Sequence, residues 1–175
     1  MRNRAVPFAI ALVVFALDQF TKWLIKTNLP GWQTIHVIPG LFNIVHAENR
    51  GVAFGFLSNS NAPWRALLLV GASSLVLIYV SWMLWRGRTA GNVMLTLALA
   101  FILGGALGNL YDRVVHGMVT DFVEVYAGEH YFPAFNVADS AISIGGTLLV
   151  LDMLRPRNRN TGLNRDDVSQ AHLNR

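Results

Sequence analysis

Long apolar stretches dominate the pattern of hydrophobic and polar positions along the chain. Four of them occur, at residues 6–25, 66–85, 92–111 and 135–154. Each has about 20 residues, which is the length that an α-helix needs to cross the hydrocarbon core of a lipid bilayer. Residues 66–85 and 92–111 contain no charged side chain. The pattern predicts an all-α membrane protein with four transmembrane helices.

The connections between these stretches are polar, and the two longer ones span residues 27–62 and 112–134. The first contains apolar residues in a strand-like pattern, broken by the turn residues Pro39 and Gly40, which predicts a small β-hairpin. We expect one domain at 1–154. The segment 155–175 is rich in Asn and Arg and has too few large apolar residues to bury a core, so we expect a mobile tail.

Composition narrows the class of protein further. Hydrophobic residues make up 53% of the chain and charged residues only 14%, which is too little polar surface for a soluble domain of 175 residues. The chain has no cysteine, which excludes disulfides, zinc–thiolate sites and a cysteine nucleophile. The net charge of +4 comes from arginines beside the apolar stretches, so we interpret it as membrane orientation and expect no nucleic-acid partner.

The arginines also predict which way the chain crosses the bilayer. If all four stretches cross, nine of them fall on one side: Arg2, Arg4, Arg86, Arg88, Arg155, Arg157, Arg159, Arg165 and Arg175. Basic residues accumulate in short segments on the cytoplasmic side of a membrane. Both termini are therefore expected in the cytoplasm, and the two longer connections are expected to face outward.

Ionisable residues within or beside the apolar stretches indicate a structural or functional role, because a charge inside a bilayer is costly. Asp18 and Lys22 are four residues apart and share a helix face, which fits either a buried ion pair or a supporting role beside a site. Asn109, Asp112 and Arg113 lie within about one helical turn. A helix cap and an ion pair would explain them, and so would an Arg113 that holds a substrate carbonyl or a lipid ester.

Asp121 and Asp139 are the strongest candidates for catalysis. They are 18 residues apart in sequence, and the predicted topology brings both to the outer membrane face. Two neighbouring carboxylates in a poorly solvated site cannot both ionise easily, so one can serve as a base while the other serves as an acid. Two alternatives stay open at this point. Asp139 could only cap the fourth helix, and Asp121 could pair with Arg113.

Other chemistries find no support in the residues. The chain has no His-Glu-x-x-His motif, and its five histidines are scattered, so we predict neither a metal site nor any other cofactor. Intramembrane acids would also suit a small transporter or proton relay, and a non-catalytic scaffold is a further alternative. Acids spread across the membrane depth would favour the transporter.

Five segments, in order, resemble motifs of the bacterial lipoprotein signal peptidases, also called signal peptidase II. They are Asp18–Lys22, Asn49–Phe54, Gly104–Arg113, Val119–Phe122 and Phe135–Ser140. The resemblance implies four transmembrane helices with a small extracytoplasmic β-cradle. It also implies an aspartyl endopeptidase that removes the signal peptide from diacylglyceryl-modified prolipoproteins by cutting before the lipidated cysteine.

On this resemblance Asp121 and Asp139 are expected to be catalytic. Five residues are expected to bind the substrate or to let it approach closely: Asn49, Gly105, Asn109, Arg113 and Asn136. Supporting roles are expected for Asp18, Lys22 and Asp112. The enzyme is expected to act as a monomer in the bacterial inner membrane, in contact with membrane lipids, with its site near the periplasmic face.

Overall fold

The computed structural model describes residues 4–31, 33–50 and 63–155. Residues 51–54 of the second motif, and all of the predicted tail except Arg155, lie outside this range. Within it the chain forms four helices and four strands. In chain order these are α1 Ala5–Asn28, β1 Ile35–Ile38, β2 Phe42–Asn49, α2 Pro63–Trp85, α3 Val93–His116, β3 Val119–Ala127, β4 His130–Tyr131 and α4 Val137–Leu154.

The four predicted helices are confirmed, and each is long and apolar enough to cross a membrane. Their outer faces carry large apolar side chains: Leu67, Leu75 and Met153 are 74%, 70% and 77% exposed. Apolar faces of this extent match lipid better than water. Helix α3 extends beyond the apolar stretch at 92–111 as far as His116, so Asn109, Asp112 and Arg113 lie on one continuous helix.

Helix α3 lies against the other three helices and contacts two of them through glycines. A Cβ on Gly104 would lie 2.6 Å from the carbonyl oxygen of Ala11 in α1. A Cβ on Gly145 in α4 would lie 2.7 Å from the carbonyl oxygen of Ala98 in α3. Small residues at such contacts let helix backbones approach closely, which is how helices associate within a bilayer.

The strands form one antiparallel sheet in the order β1-β2-β3-β4. The predicted hairpin is confirmed, and Gly40 in its turn has a φ of 82°, a backbone conformation that glycine adopts without strain. We did not predict β3 and β4, so treating 112–134 as a loop was wrong. The first four residues of β3 are all buried, and such a strand lacks the alternation of polar and apolar residues by which strands are recognised.

Backbone pairing brings the start of α4 beside β3. Phe135 N donates to Val123 O over 3.0 Å, and Val123 N donates to Phe135 O over 2.8 Å. Asn136 caps the start of α4, and its side-chain oxygen accepts a hydrogen bond from Asp139 N over 3.0 Å. Such a cap satisfies a backbone N–H that the first turn leaves unpaired. The pairing and the cap together fix where α4 starts relative to β3.

Candidate active site

Asp121 in β3 and Asp139 in the first turn of α4 line the same cavity, which has a volume of about 630 Å³. Asn49, at the end of β2, also lines it. The rest of the wall is largely apolar, with Phe132, Phe135 and Ile144 among its residues. The convergence that topology predicted for the two acids is therefore present.

Asn136 links the two acids directly. Its side-chain Nδ2 donates to Asp121 Oδ1 over 2.7 Å, and its backbone N donates to Asp139 Oδ2 over 3.2 Å. Asp139 does cap α4, as one alternative proposed, since the hydrogen bonds between it and Asn136 form a capping box. The same carboxylate also faces the cavity, so capping and exposure to a substrate coincide at Asp139.

Two further asparagines hold the remaining carboxylate oxygens. Asn49 Nδ2 donates to Asp121 Oδ2 over 3.0 Å, and Asn109 Nδ2 donates to Asp139 Oδ1 over 2.8 Å. Each of the four oxygens of the pair therefore accepts a hydrogen bond. These bonds fix the orientation of both carboxyl groups before any substrate arrives, which is the preorganisation that acid–base catalysis requires.

Asp121 is the more buried of the two acids, with an exposed fraction of 3%. The pKa of Asp121 is raised from 3.8 to about 6, because burial and the charge of Asp139 together outweigh the lowering effect of the hydrogen bonds from Asn49 and Asn136. A carboxyl group in such surroundings holds its proton at a pH where an exposed aspartate has lost it.

Arg113 lies beside the pair but not in contact with Asp121. Among the described residues no ion pair within 4.0 Å joins Arg113 to an acid, so the alternative of an Asp121–Arg113 pair was wrong. Its Nη1 donates to the Asn109 carbonyl oxygen over 3.2 Å, whereas its Nε is buried without a hydrogen-bond partner in the described part of the chain. Arg113, Asn109 and Asp139 line a second cavity of about 350 Å³.

A buried ionic cluster lies behind the asparagines. The predicted ion pair is present, with Lys22 Nζ 2.8 Å from Asp18 Oδ2, and Lys22 also lies 2.9 Å from Asp112 Oδ2. Gln19 also belongs to the cluster, since it donates to Asp18 over 3.1 Å and to Asp112 over 3.3 Å. No role was predicted for it from the sequence. It precedes Lys22 by three residues on the same helix face, which is the signal that would have revealed it.

The cluster also reaches the helix that carries Asp139. Asp18 Oδ1 accepts a hydrogen bond from Ala138 N in the first turn of α4 over 2.9 Å. Gly105 lies nearby in α3, where a Cβ would collide with the carbonyl oxygen of Ala138 and the side chain of Ile142. It lines neither cavity. Its position therefore supports a role in packing α3 against α4 rather than direct approach by a substrate.

Four helices of membrane-spanning length, with paired carboxyl groups at an apolar cavity, define a multi-pass membrane protein with an enzyme-like cleft. The described residues contain no group of three or more His, Asp or Glu side chains that could hold a metal ion. The family described as signal peptidase (SPase) II matches residues 10–155. Since the match covers most of the sequence, the chain belongs to the signal peptidase II family.

Individual relatives agree with this assignment. The lipoprotein signal peptidase of Solibacter usitatus is 47% identical over 150 residues, which cover 86% of this chain and 91% of the relative. That of Pseudoalteromonas atlantica is 44% identical over 161 residues, which cover 92% of each chain. These similarities give no support to the alternative of a transporter or proton relay.

Solved structures share the fold. A structure described as a bacterial membrane enzyme, obtained by the in meso method at 2.3 Å, is 31% identical and has a TM-score of 0.75. The match covers 86% of this chain and 88% of that one. A second, described in the same way at 1.9 Å, is 30% identical over 87% of this chain and 95% of that one, again with a TM-score of 0.75.

Proposed function

We propose that the chain is an aspartyl endopeptidase that removes the signal peptide from diacylglyceryl-modified prolipoproteins by cutting before the lipidated cysteine. The observation that supports this most is the pairing of Asp121 and Asp139, which share Asn136 as a hydrogen-bond donor and line one cavity. Membership of the signal peptidase II family and the names of its lipoprotein signal peptidase relatives support the choice of substrate.

The proposed reaction needs one ionised and one protonated carboxyl group. The ionised aspartate takes a proton from a water molecule, whose oxygen attacks the scissile carbonyl carbon, while the protonated aspartate gives its proton to the carbonyl oxygen. A tetrahedral diol forms without a covalent enzyme intermediate. The diol then collapses: the C–N bond breaks, the leaving amine gains a proton, and the pair returns to one proton on two carboxyl groups.

The surroundings of the pair suit a substrate that begins in lipid. The cavity wall formed by Phe132, Phe135 and Ile144 matches an apolar signal peptide, and the carboxyl groups lie at its edge. Arg113 lines the second cavity, and its buried Nε–H group has no hydrogen-bond acceptor among the described residues. The carbonyl oxygen of a peptide or of a lipid ester could accept from this N–H group. We infer that Asn109 and Asn136 orient the substrate indirectly: their hydrogen bonds fix the two aspartates, and the aspartates position the substrate.

Membrane topology follows from the arginine pattern. We infer that the sheet and the carboxyl pair face the periplasm and that both termini lie in the cytoplasm of a bacterial inner-membrane protein. All the groups that the reaction needs come from a single chain, so we propose that the monomer is the active form and that lipids are its only other partners besides the substrate.

A cleavage assay on a purified diacylglyceryl prolipopeptide tests the function. Asp121→Asn and Asp139→Asn should each insert and fold, yet lose cleavage by about 100- to 10,000-fold, because an amide cannot exchange the proton. Asp152→Asn is the matched control, since Asp152 lies at the far end of α4, where it accepts a hydrogen bond from Asn92 over 2.6 Å. It should cleave at nearly the wild-type rate.

Two outcomes would contradict the proposal. Near-normal turnover by either amide variant at the pair would remove that residue from catalysis. Inhibition by EDTA that zinc reverses would replace the aspartyl mechanism with a metal-dependent one, because the proposed chemistry needs no metal ion.

A further inference from the structure

Lys22 is buried and contacts three side chains, donating hydrogen bonds to Asp18 and Asn109 and forming an ion pair with Asp112. Its Nζ lies 2.8 Å from Asp18 Oδ2, 2.9 Å from Asp112 Oδ2 and 3.0 Å from Asn109 Oδ1. An ammonium group has three donors and cannot accept a hydrogen bond. These contacts hold the buried Lys22 in place, and one of its two hydrogen bonds goes to an asparagine that contacts the catalytic pair.

The hydrogen bond from Lys22 determines which way the Asn109 amide points. Because Lys22 can only donate, the group facing it must be the Asn109 oxygen, and the amide nitrogen must then face Asp139, 2.8 Å away. A flipped amide would set two donors against each other at Lys22 and two acceptors against each other at Asp139. Asn136 Nδ2 reinforces the same orientation by donating to Asn109 Oδ1 over 3.3 Å.

The two acids differ in how well they tolerate negative charge. Asp139 is half-buried, and it lies in the first turn of α4, where backbone N–H groups and the helix dipole favour an anion. It accepts from a backbone N–H as well as from Asn109. Asp121 lies on a strand, is almost fully buried, and accepts its two hydrogen bonds from the side chains of Asn49 and Asn136.

We propose that Lys22 is a positioning residue that holds the Asn109 amide toward Asp139 and thereby makes Asp139 the ionised base and Asp121 the protonated acid. This inference rests on the proposed aspartyl mechanism and assigns the roles that the mechanism leaves open.

Lys22 affects Asp139 through Asn109 rather than by direct charge attraction. The charged groups around Asp139 are Arg113 from α3, Asp121 from β3 and, behind Asn109, the cluster of Lys22 with Asp18 and Asp112. That cluster contains one positive and two negative groups, so it offers no net positive field to Asp139. The oriented N–H of Asn109 is the contribution that depends on Lys22.

The test is the pH dependence of cleavage by Lys22→Met, with Lys26→Met as the control at the other lysine, which is exposed. Each enzyme is assayed in detergent on the diacylglyceryl prolipopeptide, and rates are normalised to folded enzyme. For Lys22→Met the acid limb of kcat/KM should move up by about one pH unit, a tenfold effect, because an ionised Asp139 has lost an oriented donor. KM should stay within about twofold, since this hydrogen bond does not contact substrate.

A purely structural role for Lys22 predicts a different result. Activity per folded molecule would then keep the wild-type pH profile, and that outcome would overturn the inference. If Lys22→Met does not fold, Asn109→Leu provides the test, because leucine is similar in size to asparagine, adds no charge beside Asp139 and has no N–H group to donate to it. The acid limb should again move up, and an unmoved limb would overturn the inference.

Asp139→Asn in the same assay separates this inference from the proposed function. Wild-type cleavage by Asp139→Asn would reject the aspartyl mechanism itself. An inactive Asp139→Asn together with an unmoved profile for Lys22→Met rejects only the role of Lys22.

Discussion

The replacement Asp121→Asn should abolish cleavage and yet make the folded protein more stable at neutral pH. The reason is the burial of Asp121, which raises its pKa in the folded state from 3.8 to about 6. Between these values the unfolded chain ionises while the folded chain keeps its proton. The free energy of unfolding therefore falls as pH rises through this window, and the loss stays constant above it. An amide at this position avoids the loss.

The size of the effect follows from the same shift. A rise of about two pH units corresponds to about 3 kcal/mol, which is an upper limit because water and hydrogen bonds relax around a charged group. The amide resembles the protonated acid in shape, and its N–H group can bond to Asn49 once the Asn49 amide turns its oxygen toward it, so the variant should match wild type near pH 4. At pH 8 it should be more stable by about 1–3 kcal/mol, with a melting temperature higher by about 2–4 °C for each kcal/mol.

Thermal unfolding in detergent, followed by tryptophan fluorescence at pH 4 and at pH 8, measures this difference. Glu129→Gln is the control, since Glu129 is exposed in the turn between β3 and β4 and its neutralisation should change neither value. A variant that is no more stable than wild type at pH 8, or whose stability relative to wild type falls between pH 4 and pH 8, would contradict a raised pKa for Asp121. The case for Asp121 as a poised acid would then fail.

Two further predictions test the helix packing and the topology. Gly145→Ala should destabilise the fold by about 1–3 kcal/mol, because its Cβ would lie 2.7 Å from the Ala98 carbonyl oxygen. Gly146→Ala is the control: its Cβ would have nothing within 4 Å, so the variant should gain about 0.5–1 kcal/mol in helix propensity. Equal unfolding midpoints for the two variants would contradict the close contact at Gly145. Because the chain has no cysteine, Glu129→Cys should react with a membrane-impermeant maleimide in spheroplasts and Ala90→Cys only after permeabilisation, and the reverse labelling would invert the proposed topology.

The helices were predictable because the requirement that defines them is local in sequence: a bilayer crossing needs about 20 consecutive apolar residues. The end of α3 was not predictable in this way. Hydropathy marks only the apolar part of α3, whereas the helix continues through Asp112, which is buried against Lys22, as far as His116. Strand β3 was not predicted for a related reason: where both faces of a strand are buried, polar and apolar residues do not alternate along it.

Part of the site was predictable from topology and part was not. Topology was enough to bring Asp121 and Asp139 to one membrane face. The contacts that orient them join distant residues: Asn49 and Asp121 are 72 positions apart, and Lys22 and Asn109 are 87 apart. Such contacts depend on how α1 packs on α3 and how β2 pairs with β3. No spacing in the sequence encodes them.

The stability of the fold and the chemistry of the site depend on the same hydrogen bonds. The start of α4 is held from one side by Asp18, which accepts from Ala138 N, and from the other side by Phe135, which pairs with Val123. Both attachments lie within four residues of Asp139. These backbone bonds near the helix start fix the position of Asp139 at the wall of the apolar cavity. A buried ionic cluster is costly in a membrane protein. This cluster nevertheless has a use, because it sets the geometry of the acid pair.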